Sequence, residues 1–370
     1  MTAFVESCVG TVSSSAVAVA RRSRGRPHAR TLMKVLADKR NILITTHEHA
    51  DPDALASTLA LCTLLTTKLP NAKVTASTKG RIGGGINEIF TQLSSLKLVP
   101  WEEAGSDVAL KSYDAIVLLD TQPNFANSPL PADVPPTAVI DHHRSRAGRR
   151  PKCAFCDIRS DVGATGSIIF SYFMELEQPI SRDLGATLLY AIESDLAGAA
   201  GQPGELDNIA LSSLTLIADT RKLYKMRYVN LPQSAYASTA TGLHNAMVYD
   251  NALLSHLDEI DSPEKPAVMA DYLLRFEKAE WALVTAEFNG ALVMSLRTNG
   301  TKLSAADLIK RILRNIGEGG GHRTKAGGGI KLTEGAPKEI ERVRGVVRRR
   351  YLRSLGIAQS RGQRLVPTSK

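Results

Sequence analysis

Residues 41–57, NILITTHEHADPDALAS, constrain this chain more than any other stretch. Ile42 to Thr46 are apolar or β-branched and read as a short buried strand. His47, Asp51 and Asp53 follow at once, and Ala54–Lys68 then has the composition of a helix. Clustered carboxylates repel, so three ligand-type side chains within seven residues at a strand end are costly to fold without a counter-charge. A divalent cation removes that cost, and imidazole with carboxylate suits an ion such as manganese. Asp53 as the cap of the following helix accounts for one acid, but not for His47 and Asp51 as well.

Further acids and imidazoles stand at the ends of later apolar runs. Tyr113–Leu119 reads as a second strand with Asp120 at its end, and Thr137–Ile140 as a third that delivers Asp141, His142 and His143. Asp195 closes the apolar run that begins at Leu184. In an open parallel sheet the carboxyl ends of the strands share one edge, where ligands bind. Three such ends carrying acid or imidazole therefore point to one site.

In order and approximate spacing, His47-x-x-x-Asp51-x-Asp53, Asp120, Asp141-His142-His143 and Asp195 resemble the DHH phosphoesterase superfamily. Gly319-Gly320-Gly321-His322, followed by Ala326-Gly327-Gly328, is similar to the DHH-associated C-terminal domain of that superfamily. The resemblance runs from about Leu32 to about Leu332. It implies two α/β domains, a DHH domain on a mostly parallel sheet and a smaller DHH-associated domain, with a metal site in the cleft. It also implies two divalent ions, manganese first. His47, Asp51 and Asp120 would hold one, and Asp53, Asp120, His142 and Asp195 the other, with Asp120 bridging. Among the catalytic residues besides Asp120, Asp141 would orient a neighbouring histidine and His143 would assist the leaving oxygen as an acid. Arg297, Gly319, Gly320, Gly321 and His322 would bind the phosphate of the substrate.

The activity so implied is two-metal hydrolysis of short oligonucleotides (nanoRNA, linear dinucleotides) or of phosphoadenosine phosphate. Short RNA or DNA and nucleotide phosphates are the expected partners, and a homodimer is compatible with the family. A RecJ-like single-strand exonuclease and a cyclic-dinucleotide phosphodiesterase are the alternatives, with a nucleotide-binding module as the non-enzymatic one. Two departures bear on detail: Pro52 stands between the acids where glycine is common, and Leu196 follows Asp195 where threonine is usual.

A chain of 370 residues has room for two sizeable cores. No apolar run approaches a membrane span, so no membrane partner is expected. Glu6 comes early and the basic cluster follows the apolar part of the N-terminal segment, the wrong polarity for a signal peptide; a cytoplasmic protein is expected. Cys8, Cys62, Cys153 and Cys156 read as reduced thiols rather than a disulfide framework. Aromatic residues are 5% of the chain, which argues against an extended base-stacking track.

Charge is uneven. Residues 1–30 carry net +4 and residues 341–370 net +8, which takes residues 31–340 to −3 within a total of +9. The expected layout is a disordered basic segment (1–29), the DHH domain (30–221), a linker (222–249), the second domain (250–345) and a basic tail (346–370). Gly85–Leu93 and Gly163–Leu176 read as further helices of the first domain, and Gly83–Gly85 as a flexible loop. In the second, Asn289-Gly290 predicts a type I′ hairpin, Ser304–Asn315 a helix, and the glycines after it a turn.

Overall fold

The computed structural model of the protein describes residues 28–80, 82, 90, 92, 94–145, 150–196, 203–300, 302–321, 323–333, 337–358 and 361–367. His322, the Gly83–Gly85 loop, nearly all of the helix expected over Gly85–Leu93 and residues 1–27 of the expected disordered segment lie outside these. The chain divides into two compact units, the second beginning at Asn230.

In the first unit, β1 (Asn41–Thr46), β2 (Lys73–Ser77), β3 (Ala115–Leu119), β4 (Ala138–Asp141) and β5 (Phe155–Ile158) form one sheet in the order β2-β1-β3-β4-β5. Every pairing is parallel. The strands read as continuous apolar runs because both faces are covered. Leu43, Ile116, Leu118 and Val139 point to one side with the short helices α3 (Trp101–Ala104) and α4 (Asp107–Ser112). Ile42, Ile44, Val117, Leu119 and Ile140 point to the other, under α1 (His28–Leu36), α2 (Pro52–Lys68), α5 (Thr165–Glu175), α6 (Arg182–Leu196), α7 (Glu205–Ile217) and α8 (Thr220–Arg227). The strand order reverses between β1 and β3, and the carboxyl ends flanking such a reversal are where a crevice opens.

Two sequence boundaries need correction here. Residues 28 and 29, read as part of the disordered segment, begin α1, because Glu175 accepts hydrogen bonds from the Ala29 and Arg30 amides (2.9 and 3.0 Å) while Ala29, Leu32 and Leu36 are buried. The cap of α2 is Asp51, whose Oδ1 accepts from the Ala54 amide at 3.0 Å, with Pro52 in the first helical position; it is not Asp53.

The second unit is built on a mixed sheet in the order β10-β11-β9-β8-β7-β6-β12. Its strands are β6 (Met247–Tyr249), β7 (Ala252–Glu259), β8 (Trp281–Phe288), β9 (Ala291–Thr298), β10 (Glu318–Gly321), β11 (Lys325–Lys331) and β12 (Gln363–Arg364). Only β7 and β8 run parallel. The β8–β9 hairpin turns at Asn289 (φ 47°) and Gly290 (φ 72°), the two positive angles a type I′ turn requires. Helices α9 (Gln233–His244) and α10 (Lys265–Leu273) cover one face, α11 (Ala305–Leu313) and α12 (Pro337–Ser354) the other.

Lys222–Tyr249, expected as a linker with some helix, holds most of α8, all of α9 and β6, and the units meet in sequence inside it. Residues 346–370 are not simply a tail. Val347 and Tyr351 of α12 are fully buried, and the Tyr351 hydroxyl donates to the Leu253 carbonyl at 3.2 Å. The glycines after α11 form a strand rather than a turn: Gly319, Gly320 and Gly321 pair with Gly328, Gly327 and Ala326. Among the described residues no helix is long and apolar enough to cross a membrane, and Cys62, Cys153 and Cys156 are free thiols.

Candidate metal centre

The carboxyl ends of β1, β3 and β4 and the last turn of α6 bring the expected side chains together. Three ligand atoms, one each from His47, Asp51 and Asp120, lie within 4.8 Å of one another, as do three from Asp53, His142 and Asp195. Asp120 stands between the triads. Its Oδ2 is 3.5 Å from His47 Nε2, and its Oδ1 is 3.5 Å from His142 Nε2. His142 Nε2 is in turn 3.4 Å from Asp195 Oδ2.

Local structure explains each position. His47 donates from Nδ1 to the Glu48 carbonyl (2.9 Å), which turns Nε2 toward the acids, the nitrogen a metal would take. Asp53 is buried against the start of α5, where its two oxygens accept from the Thr165 and Gly166 amides at 2.7 and 2.9 Å. A Cβ at Gly166 would stand 2.9 Å from Asp53 Oδ1, so only glycine lets that carboxylate approach. Asp120 has φ 56°, a left-handed backbone that costs a non-glycine residue about 1 kcal/mol and turns its carboxylate across the sheet edge. Asp195 lies in the last turn of a helix, where the dipole disfavours an acid.

The electrostatics follow from this crowding. Burial, then the charges of Asp120, Asp195 and Asp51, push the Asp53 carboxyl well above the usual carboxylate range. Burial works against a charged His47, but its contacts with Asp120 and Asp51 outweigh it and hold the imidazole well above its ordinary value. The donor set carries more negative charge than the protein cancels. Mixed imidazole and carboxylate donors fit a divalent cation of the manganese or magnesium kind.

Asp141 and His143 form a separate pair. Asp141 is fully buried; its Oδ1 faces His143 Nδ1 at 2.6 Å and its Oδ2 accepts from Gln122 Nε2 at 2.6 Å. Burial opposes ionisation of Asp141, yet the His143 contact overrides it and lowers the pKa. Burial likewise opposes a charged His143, but Asp141, Asp120 and Asp195 raise it to about 9. A ligand set of Asp120, His142 and His143 is also geometrically available. His143 Nδ1 lies 3.7 Å from Asp120 Oδ1 and only 2.6 Å from Asp141 Oδ1.

Thr165, Gly166 and Gln122 were missed in the sequence. The Thr165 hydroxyl donates to Asp120 Oδ1 at 2.8 Å, and Gln122 fixes Asp141. Gly163-Ala-Thr165-Gly166 at a helix start was the available signal.

Of the expected phosphate-binding residues, Arg297, Gly319, Gly320 and Gly321 lie among the described residues of the second unit. Arg297 is directed by Asp271 Oδ1 (2.7 Å from Nε) and Ser295 Oγ (2.8 Å from Nη1), and sits opposite Lys325 in the β9–β11 register. A Cβ at Gly319 or Gly328 would strike Leu313 Cδ1 at 2.6 or 2.4 Å, so these glycines let α11 lie directly on the ribbon. Gly321 has φ 146° and no room for a side chain. Gly320 alone has open space at its Cα.

Residues 41–192 match the DHH family, N-terminal domain. An uncharacterized protein of Methanocaldococcus jannaschii is 29% identical over 310 residues, 83% of this chain and 62% of its own length, so this chain spans less than two thirds of that relative. An exopolyphosphatase-related protein from Bacteroides fragilis has a similar structure (TM-score 0.70, 18% identity, 89% of this chain and 97% of that one). RecJ from Thermus thermophilus, in complex with Mn2+, is more distant (TM-score 0.51, 15% identity, 87% of this chain and 54% of that one). At such identities a shared fold is what these two structures establish.

Proposed function

We propose that this chain, whose residues 41–192 match the DHH family, N-terminal domain, is a metal-dependent phosphoesterase acting on short oligonucleotides or phosphoadenosine phosphate. The observation that carries the reading is Asp120, whose two oxygens each face an imidazole of a different triad. His47, Asp51 and Asp120 would hold one divalent ion, and Asp53, Asp120, His142 and Asp195 the other. Two ions held there would supply an activated water and neutralise phosphoryl oxygens. The chain's own residues do the rest. Thr165 and the α5 amides fix Asp120 and Asp53 by direct hydrogen bonds. Asp141 keeps His143 oriented and protonated, ready to give a proton to the leaving oxygen. In the second unit, Arg297, Lys325 and the open Cα of Gly320 suit a phosphate.

The test is hydrolysis of a dinucleotide, phosphoadenosine phosphate, a 24-nucleotide strand and bis-p-nitrophenyl phosphate, with manganese, magnesium or chelator. Manganese-dependent turnover fastest on the short nucleotides is the expected result. Faster, processive loss of the long strand would replace this reading with an exonuclease of the RecJ kind. No metal uptake and no turnover of any substrate would leave a binding module.

A further inference from the structure

The exposed face of α8 takes no part in the chemistry above, and its composition is unusual. Arg221, Tyr224, Lys225 and Tyr228 recur at the i, i+3, i+4, i+7 spacing that puts side chains on one helix face. The two tyrosines are 64% and 66% exposed, among the most exposed large apolar side chains of the described residues. Their ring centroids are 4.8 Å apart and their planes tilted by 34°, so they form a small aromatic platform facing outward. The core of the unit has no need of it, since Leu223 and Met226 supply the buried face of the helix.

Charge around the platform is sorted. Asp183 is paired with Lys222 (2.6 Å), and Glu193 with Arg227. Arg221 and Lys225, the two cations on the tyrosine face, form no ion pair among the described residues. Asp219, the nearest acid in sequence, has its Oδ1 engaged by the Lys222 amide at 2.8 Å. A tilted aromatic pair flanked by two exposed cations matches a ligand with flat π-faces on an anionic backbone.

The same ion pairs fix where this face lies. Lys222–Asp183 joins the start of α8 to the start of α6, and Arg227–Glu193 joins their later turns, so the helices run in the same direction. Glu193 is two residues before Asp195. The platform thus sits beside the end of α6 that carries a ligand-type acid of the second triad.

We propose that Arg221, Tyr224, Lys225 and Tyr228 form a base-stacking foothold for single-stranded nucleic acid, on the unit that carries the metal centre. This rests on the oligonucleotide reading above and extends it. Bases stack on Tyr224 and Tyr228 without regard to sequence, and Arg221 and Lys225 meet the flanking phosphates. On this reading a dinucleotide held at the centre should leave the foothold empty, whereas a strand of several nucleotides should occupy both.

The experiment uses the full-length chain with chelator, so that nothing is hydrolysed, and measures fluorescence anisotropy of a labelled eight-nucleotide deoxythymidylate and its abasic counterpart. Wild type should prefer the strand with bases. Tyr224→Ala/Tyr228→Ala should weaken that strand by roughly tenfold or more and erase the preference, while Arg221→Gln/Lys225→Gln should weaken both strands and flatten the salt dependence. Circular dichroism checks that these surface variants are folded. With manganese, the tyrosine variant should keep wild-type turnover of bis-p-nitrophenyl phosphate and of a dinucleotide. Equal binding of based and abasic strands by wild type, or inorganic polyphosphate displacing the strand as well as nucleic acid does, overturns stacking. A change of oligomeric state in the tyrosine variant by light scattering identifies a contact between copies instead, and also overturns it. If binding is unchanged in the variant while the dinucleotide is still cleaved, the foothold fails and the phosphoesterase reading stands. If nothing is cleaved by wild type, that reading fails on its own account.

Discussion

In the first unit, Asp53, Asp120, Asp141 and Asp195 gather with three histidines at one sheet edge; in the second, charges are paired singly or spread along a surface. Arg344 of α12 meets Glu287 at 3.1 Å, Arg297 meets Asp271, and Arg350 donates to the Ile312 and Arg314 carbonyls at the end of α11. None of these forms a cluster of metal donors among the described residues. The parallel sheet thus carries an electrostatic strain that a cation can relieve, whereas the mixed sheet is complete without one. Stability and activity should therefore separate along the chain, and each experiment below is a way to break that separation.

The largest effect belongs to the bridge. Asp120→Asn keeps a side chain that tolerates the left-handed backbone and removes the charge shared by the two triads. Turnover should fall by about a thousandfold or more with a cooperative fold retained, measured by steady-state rates and urea melts. Asp120→Ala should lose as much activity and also about 1 kcal/mol of stability to backbone strain. Substantial residual turnover in either variant would show that Asp120 does not serve both triads.

Next comes the packing of α12. Tyr351→Ala should destabilise the second unit by about 3–5 kcal/mol, because it empties a fully buried site and removes the hydroxyl that donates to the Leu253 carbonyl. Deleting residues 341–370 should unfold that unit outright. Amide hydrogen exchange followed by mass spectrometry should show loss of protection in β6–β9 and none in β1–β4. Equal loss in both units would mean that their stabilities are not separable.

Acid should act on the second unit through His256. Burial, then the charges of Arg344 and Arg348, lowers its pKa to about 4 in the fold. The unfolded chain takes up that proton first, near pH ~6.5. The associated stability, roughly 3 kcal/mol, is therefore complete above about pH 6.5 and lost as pH falls towards the folded value. His256→Gln should flatten the stability of β7 and β8 between about pH 4 and 6.5; an unchanged slope would assign the acid response elsewhere.

Metal should act on the first unit alone. Manganese at a hundred times its dissociation constant should add about 2.7 kcal/mol of protection to β1, β3 and β4, reversed by chelator, with β7–β9 unmoved. Smallest of all, Gly320→Ala should leave stability within about 0.5 kcal/mol, since the added methyl meets nothing. Its effect, if the ribbon holds phosphate, is confined to KM for nucleotide substrates and spares the chromogenic ester.

Much of this architecture was legible in the residues. Ile42–Thr46 and Ala115–Leu119 announce themselves because a strand covered on both faces is apolar throughout, and Asn289-Gly290 because its turn demands positive φ. Asp120 and Asp141 were legible as strand ends. Lys73–Ser77 was not, being short, polar at its start and recognisable only by its pairing with β1. Gly319–Gly321 has no side chains from which a strand period can be read. The helices across Lys222–Tyr249 bury few residues and are held by neighbours rather than by their own periodicity. Thr165 and Gln122 escaped because an uncharged side chain carries no signal until the acid it serves is beside it.

The left-handed backbone at Asp120 has an evolutionary consequence. Drift away from catalysis relaxes the need for a carboxylate but not for the turn, which the surrounding packing still imposes. A descendant that has lost the activity should therefore more often carry asparagine or glycine at this position than alanine or valine. Lineages that abandoned the reaction should be recognisable by that narrow pair of replacements at a position whose neighbours in β3 remain apolar.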